Sequence, residues 1–182
     1  EGAWAQDLFK AKPERGINKR TQRLYGCTTQ QNCVSTAAIK NPTQFSAAFD
    51  YTIKTSDVGK AWRILKETIA ADPTLRIVEE DEAGGYLRAE GVSKVPKDGV
   101  DDVEFLFVPE QKILTYRSAS RENVFVYPYQ VPIPDGGYQK ARMEGIRNKL
   151  GWVELNYAGE GIYSDGCGKN GDKACNPFGG LE

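Results

Sequence analysis

The sequence predicts an α+β fold in which one antiparallel sheet carries two helices, with irregular tails at both ends. Short stretches of alternating apolar residues are typical of half-buried strands, and two longer stretches repeat their apolar residues every three or four positions, as helices do. Hairpin-length polar linkers join successive strands. The elements follow the order strand, helix, four strands, helix. An antiparallel sheet with both helices on one face buries all of these apolar stripes.

The first strand is predicted where Phe49, Tyr51 and Ile53 alternate with other residues. Ser56 or Asp57 then caps a helix, because both residue types accept hydrogen bonds from the free amides of a first turn. The apolar residues of this helix step by four, three and four positions: Val58, Trp62, Leu65 and Ile69.

Four strands follow the first helix, over residues 75–80, 86–92, 103–108 and 113–118. The linkers 81–85 and 109–112 carry turn residues, so the strands that they join should pair as antiparallel neighbours. A second helix is predicted over 137–150, with Gly151 at its end. The residues expected on the apolar side of this helix are Tyr138, Ala141, Ile146 and Leu150.

The predicted organisation is a single domain over residues 45–151. Residues 1–44 form an extended leader with a loop between Cys27 and Cys33, and residues 152–182 form a glycine-rich C-terminal tail. The chain opens on Glu1 without a targeting peptide, as expected of a processed mature chain or of a trimmed one.

Composition argues against several classes of partner. The formal net charge is -1, so the whole chain has no field that would recruit nucleic acid or an anionic membrane surface. No stretch approaches the ~18 apolar residues of a transmembrane helix. The expectation is a water-soluble protein that has no transmembrane segment and no nucleic-acid partner.

The four cysteines form two local pairs in loop sequence, Cys27 with Cys33 and Cys167 with Cys175. An even count in such loops favours disulfides and an oxidising compartment. The pairing could also join Cys27 to Cys167 or to Cys175, and free thiols or a zinc site are further alternatives. The gaps are wider than those of most zinc knuckles and the chain has no histidine, so no metal is predicted.

The hairpin over residues 101–121 is the part of the chain richest in candidate site residues. Antiparallel pairing across its turn places Glu104 opposite Arg117 as a cross-strand ion pair. The same register gathers a polar cluster at the open end of the hairpin: Asp101, Asp102, Glu104, Arg117, Ser118 and Arg121. This cluster is either an acid/base or anion site or a network that holds the hairpin in register. Paired carboxylates need a positioned nucleophile, electrophile or metal before they indicate catalysis, so the structural interpretation is preferred.

No catalytic residue and no cofactor are predicted. The chain has no phosphate-binding glycine loop or nucleophile elbow, and without histidine Cys33 lacks the base that would make it a nucleophile. A groove for an apolar or anionic small molecule is possible between the sheet and the second helix, lined by Phe105, Phe107, Tyr116 and Tyr129. The cations of the second helix are predicted to form a solvated face: Lys140, Arg142, Arg147 and Lys149.

Three stretches of the chain, residues 27–36, 101–121 and 138–151, together resemble the uncharacterised family known as domain of unknown function number 1499. Asp-Asp-Val-Glu-Phe followed by Arg-Ser-Ala-Ser-Arg carries the strongest likeness, whereas Gln31 and Thr36 depart from the usual Pro-Asn-Cys-Val-Ser-Ser of the first stretch. The resemblance implies a fold unit without an established reaction, and members in bacteria and in plastids, including the thylakoid lumen. The element order also resembles helix-grip domains and half of the TATA-box-binding fold, a likeness of shape alone.

The preferred hypothesis is therefore a non-enzymatic protein of the thylakoid lumen that docks onto a larger membrane complex through its N- and C-terminal tails, with a photosystem as the preferred partner. A bacterial periplasmic location is the alternative compartment. The runner-up function is a binding domain for an apolar or anionic small molecule, acting as a carrier or assembly factor.

Overall fold

The computed structural model describes residues 14–126, 128 and 131–155. The small strands that precede the first helix are β1 (Ile17–Asn18), β2 (Arg23–Leu24), β3 (Cys33–Ser35) and β4 (Phe49–Asp50). Helix α1 (Val58–Ala70) leads into the long strands β5 (Leu75–Asp81), β6 (Tyr86–Val92), β7 (Val100–Val108) and β8 (Ile113–Ser120). The remaining elements are β9 (Phe125–Val126), β10 (Val131–Pro132), α2 (Tyr138–Leu150) and β11 (Val153–Glu154).

The main sheet has seven strands, in the order β11-β4-β8-β7-β6-β5, with β3 also pairing with β8. Its strand pairs are antiparallel, so the predicted α+β class is confirmed. The predicted register of the β7–β8 hairpin is confirmed too, with Glu104 opposite Arg117 and Phe105 opposite Tyr116. The likeness to helix-grip domains stays a prediction.

Both helices pack against one face of the sheet and share a single apolar core with it. Asp57 caps α1 by accepting a hydrogen bond from the Lys60 amide at 2.9 Å. The buried face of α1 consists of Ala61, Trp62, Leu65 and Ile69, which confirms three residues of the predicted stripe. The fourth, Val58, is 38% exposed in the first turn. Burial of each large apolar side chain contributes about 1.5–3 kcal/mol, which fixes both helices against the sheet. Among the described residues no helix is long and apolar enough to cross a bilayer.

The predicted face of α2 is confirmed at Ile146 and Leu150 but is wrong at Tyr138 and Ala141. Gly137 is left-handed, and its amide and that of Gln139 donate to the Asp135 carboxylate, so the helix begins at Tyr138. Its buried residues are Gln139, Met143, Ile146 and Leu150, whereas Tyr138 is only partly buried. The polar residue Gln139 therefore occupies a buried position that the apolar periodicity did not predict.

The first strand is shorter than predicted. Thr52 donates to the Asp50 carboxylate through its amide and its hydroxyl, and the Lys54 amide donates to the Tyr51 carbonyl. These bonds turn the chain away from the sheet after Tyr51. Ile53 is consequently 60% exposed and is not on the buried face.

The boundaries predicted at residues 44 and 151 do not match the limits of the sheet. Val34 of β3 is 2% exposed and belongs to the main core. Trp152 is also 2% exposed and packs against Tyr51 and Phe107, and β11 after it pairs with β4. Residues on both sides of the predicted domain therefore complete its core.

Candidate functional site

The three stretches that carry the family resemblance meet at one end of the sheet. β3, from the first stretch, pairs with β8 so that Val34 lies opposite Ser118. β8 pairs with β7 within the second stretch, and Gln139 of α2 contacts both of these strands. Because successive side chains of a strand point to opposite faces, the polar residues divide into an inner cluster on the helix side and an outer cluster on the other face.

The inner cluster consists of Asp101, Ser118, Gln139 and Arg142. Gln139 Nε2 and Arg142 Nη1 both donate to Asp101 Oδ2, at 2.7 and 2.8 Å. Ser118 Oγ donates to Gln139 Oε1 at 2.5 Å, and Arg142 Nη2 donates to the Val92 carbonyl at 2.7 Å. Asp101 is fully buried and the Arg142 side chain is 7% exposed, so this ion pair is closed to solvent.

The outer cluster is centred on Glu104, which accepts three hydrogen bonds. Arg117 Nη1 donates at 2.7 Å, the Tyr86 hydroxyl at 2.9 Å and the Gly16 amide at 2.5 Å. Arg117 Nη2 also donates to Gln31 Oε1 at 3.2 Å. The side chains of Glu104 and Arg117 are 0% and 1% exposed, so the predicted cross-strand pair is fully buried.

The outer cluster continues to Asp102 and Arg121 at the open end of the hairpin, where the sequence predicted their approach. Arg121 and Asp102 form a bidentate ion pair. Arg121 donates through Nε to Asp102 Oδ2 at 2.7 Å and through Nη2 to Asp102 Oδ1 at 2.6 Å. Arg88 Nη1 donates to Asp102 at 3.1 Å, and Arg121 also donates to Glu90 at 2.5 Å. Arg88 and Arg121 thus both compensate the charge of the buried Asp102 carboxylate.

These contacts shift the pKa values of the outer cluster. Burial alone would raise the pKa of Asp102, but the hydrogen bonds and charge of Arg121 outweigh it and hold that pKa below its ordinary value. The hydrogen bond from Arg121 also lowers the pKa of Glu90. Burial raises the pKa of Tyr86, and the adjacent Glu104 carboxylate raises it further. These shifts favour the ionised forms of Asp102 and Glu90 and the neutral form of Tyr86.

Three of the four residues predicted to line a small-molecule groove are buried in the core. Phe105, Phe107 and Tyr116 are 0%, 4% and 1% exposed, and all three belong to the main core. Phe107 makes ring contacts with Trp62 and Trp152. These three side chains pack the sheet against its helices, and among the described residues they do not line an open groove. The fourth predicted residue, Tyr129, lies outside the described residues.

A cleft of about 280 Å³ lies between the Cys27–Cys33 loop and the start of α2. Gln31 Nε2 in its wall donates to the Ser120 carbonyl at 2.8 Å, and Gln44 Nε2 donates to two loop carbonyls. The Asp135 carboxylate on the same cleft caps α2. These polar groups are therefore already bonded within the protein. In the part of the chain that the structure describes, no group of three acidic or cysteine side chains is placed to hold a metal.

Cys27 and Cys33 form a disulfide, as predicted from their proximity in sequence. The loop that they close carries Gln31, which binds both a carbonyl of β8 and the Arg117 guanidinium. The disulfide therefore braces the first stretch against the outer cluster. The second predicted pair, Cys167 and Cys175, lies outside the described residues and stays a prediction.

Sequence reasoning missed the partners that α2 and the neighbouring loops supply. Arg142 is not part of a solvated face, because it pairs with buried Asp101. Two other cations of the predicted face also have acidic partners, Lys149 with Asp72 and Arg147 with Glu154, while Lys140 is exposed. One feature of the sequence could have indicated these partners: Gln139 and Arg142 are spaced i, i+3 and therefore lie on the same side of the helix.

The fold and the site define an α+β domain whose polar end is closed by side chains from three separated stretches. The family described as Protein of unknown function (DUF1499) matches residues 23–150, and the chain belongs to this family. The chain is also 30% identical over 128 residues to "Thylakoid lumenal 17.9 kDa protein, chloroplastic" of Arabidopsis thaliana. That alignment covers 69% of this chain and 53% of the relative, so the chain spans about half the length of the curated relative it matches.

Proposed function

We propose that this chain is a non-enzymatic protein of the thylakoid lumen that docks onto a larger membrane complex, with a photosystem as the preferred partner. The observation that carries the non-enzymatic part is the closure of the polar cluster. Asp101, Asp102 and Glu104 have side chains that are 0–3% exposed, and each is bonded to at least one arginine. A substrate would have to break these ion pairs before it could reach a carboxylate.

The lumenal location is supported by the relative, whose name places it in the thylakoid lumen. The Cys27–Cys33 disulfide supports it independently, because structural disulfides persist in oxidising compartments. Membership of the family supports the fold but indicates no particular reaction.

We assign the docking contacts to the N- and C-terminal tails, as the sequence predicted, and to the short β9–β10 hairpin. In that hairpin Phe125 and Val126 are 42% and 47% exposed, and Ile133 beside it is 36% exposed. Neighbouring exposed apolar side chains are a feature of protein-binding surfaces. A protein complex would bury these three side chains.

Blue-native electrophoresis of thylakoids solubilised in mild detergent tests this proposal. The wild-type chain should comigrate with a high-molecular-mass complex, and the double variant Phe125→Ser/Val126→Ser should comigrate less. The matched control is Ile39→Ser/Ile53→Ser, which removes two side chains that are 71% and 60% exposed elsewhere and should leave comigration unchanged. Migration of the wild type only as a free monomer would refute the proposal.

A further inference from the structure

The β1–β2 hairpin presents three exposed cations near its turn: Lys19, Arg20 and Arg23. None of them forms a salt bridge with an acidic side chain of the described residues. The arginines of the polar clusters, by contrast, are each paired with buried carboxylates. The hairpin cations therefore have charge available for an external partner.

The fold holds these cations in a fixed place. Ile17 and Leu24 pack on Tyr86 and Leu106, which anchors the base of the hairpin to the outer face of the sheet. The Gly16 amide adds a hydrogen bond to the buried Glu104 carboxylate. This face is opposite to the one that carries both helices, so the hairpin projects from the side of the domain remote from α1 and α2.

The turn itself is also ordered by local bonds. Asn18 Oδ1 accepts from the amides of Arg20 and Thr21, at 2.9 and 3.3 Å, and the Gln22 amide donates to the Asn18 carbonyl at 2.8 Å. The three long cationic side chains extend from this ordered turn and are exposed. They can therefore adapt to a surface while the backbone keeps them together.

Positive charge is concentrated in this part of the sequence. Residues 10–23 contain six cations and one acid, a net charge of +5, in a chain whose formal net charge is -1. The rest of the chain therefore carries -6. An anionic surface would attract this segment and repel the remainder, which would orient the domain with its hairpin face toward that surface.

We propose that this basic hairpin binds the anionic lipid surface of a membrane. A bilayer fits the sequence better than an acidic protein does. Just upstream of Lys10 lie Trp4, Leu8 and Phe9, and a bilayer interface accepts cations at its headgroups and such apolar side chains beneath them. This inference goes beyond docking on a protein complex and does not depend on it.

Cosedimentation of the full chain with vesicles tests the proposal. The wild type should bind vesicles of one part phosphatidylglycerol to two parts phosphatidylcholine, should bind phosphatidylcholine alone far more weakly, and should be released by high salt. Each surface cation contributes about a fivefold factor to partitioning, so Lys19→Gln/Arg20→Gln/Arg23→Gln should lower it by roughly a hundredfold.

The matched control removes three exposed cations from the helix side of the domain: Lys60→Gln/Arg63→Gln/Lys140→Gln. It changes the net charge equally, and its partitioning should stay within about threefold of the wild type.

Equal losses in the two triple variants would overturn the proposal, as would equal binding of the wild type to both kinds of vesicle. If the wild type binds no vesicles but the hairpin variant alone loses comigration with the complex, the hairpin binds an acidic protein surface and the lipid proposal is overturned. Vesicle binding by a chain that migrates only as a free monomer would instead support this inference and refute the docking proposal.

Discussion

Replacement of Arg117 by alanine should strongly destabilise the fold. The guanidinium provides the only cation within salt-bridge distance of Glu104 among the described residues, and both side chains are at most 1% exposed. After Arg117→Ala the carboxylate keeps its bonds from the Tyr86 hydroxyl and the Gly16 amide but has no compensating charge. Breaking a buried ion pair in this way costs about 3–5 kcal/mol.

Urea denaturation followed by tryptophan fluorescence measures this loss. With an m-value of about 2 kcal/mol/M, a loss of about 4 kcal/mol lowers the midpoint by about 2 M. The matched control is Arg63→Ala, which removes an exposed arginine from α1 and should cost less than about 0.5 kcal/mol. Equal midpoints for the two variants would show that the buried pair does not stabilise the fold.

A second comparison separates the lost charge from the lost packing. Arg117→Met keeps most of the side-chain volume but still leaves Glu104 unpaired, so it should lose nearly as much stability as the alanine variant. Adding Glu104→Gln to Arg117→Met removes the stranded charge and should recover at least about 1 kcal/mol. No recovery in the double variant would indicate that packing, rather than charge compensation, is the main contribution of Arg117.

Three other outcomes are expected. Arg142→Ala should cost roughly 2–4 kcal/mol by urea denaturation, because it leaves the buried carboxylate of Asp101 without its cation; a loss like that of an exposed residue would contradict this. The lowered pKa of Asp102 contributes stability that is present above about pH 4 and is lost as the pH falls through the folded-state value. Arg121→Gln should therefore lower the free energy of unfolding by roughly 2 kcal/mol at pH 7 and by progressively less as the pH falls below about 4, and a constant difference would refute the linkage. Cys33→Ser should cost about 2 kcal/mol by the chain-entropy estimate for a loop this short and leave the circular dichroism of the sheet intact, whereas global unfolding would show that the disulfide holds the core.

Short-range patterns were enough to predict the main hairpin. The turn between β7 and β8 sets the register, and with it the pairing of Glu104 with Arg117. The burial of that pair was not predictable from the hairpin alone. It depends on Gly16 and Gln31, which lie far away in sequence and reach Glu104 and Arg117 through contacts of the folded chain.

The polar contacts of α2 show the same limit. Apolar periodicity could not place Gln139 on the buried face, because the position is buried by bonding to Asp101 and Ser118 and not by apolar packing. The overall net charge was similarly uninformative about surfaces. A value of -1 conceals the basic β1–β2 hairpin because the acidic remainder of the chain cancels it.

Native-state hydrogen exchange tests most directly whether the polar cluster is a closed part of the fold. If Asp101, Asp102 and Glu104 are sealed by their ion pairs, the amides of β7 and β8 around them should exchange only when the whole domain unfolds. Their opening free energies should then match the global value and fall with urea at the same slope. Fast exchange of these amides with little dependence on urea would reveal a local opening that exposes the carboxylates, and would contradict a structural, non-enzymatic role for the cluster.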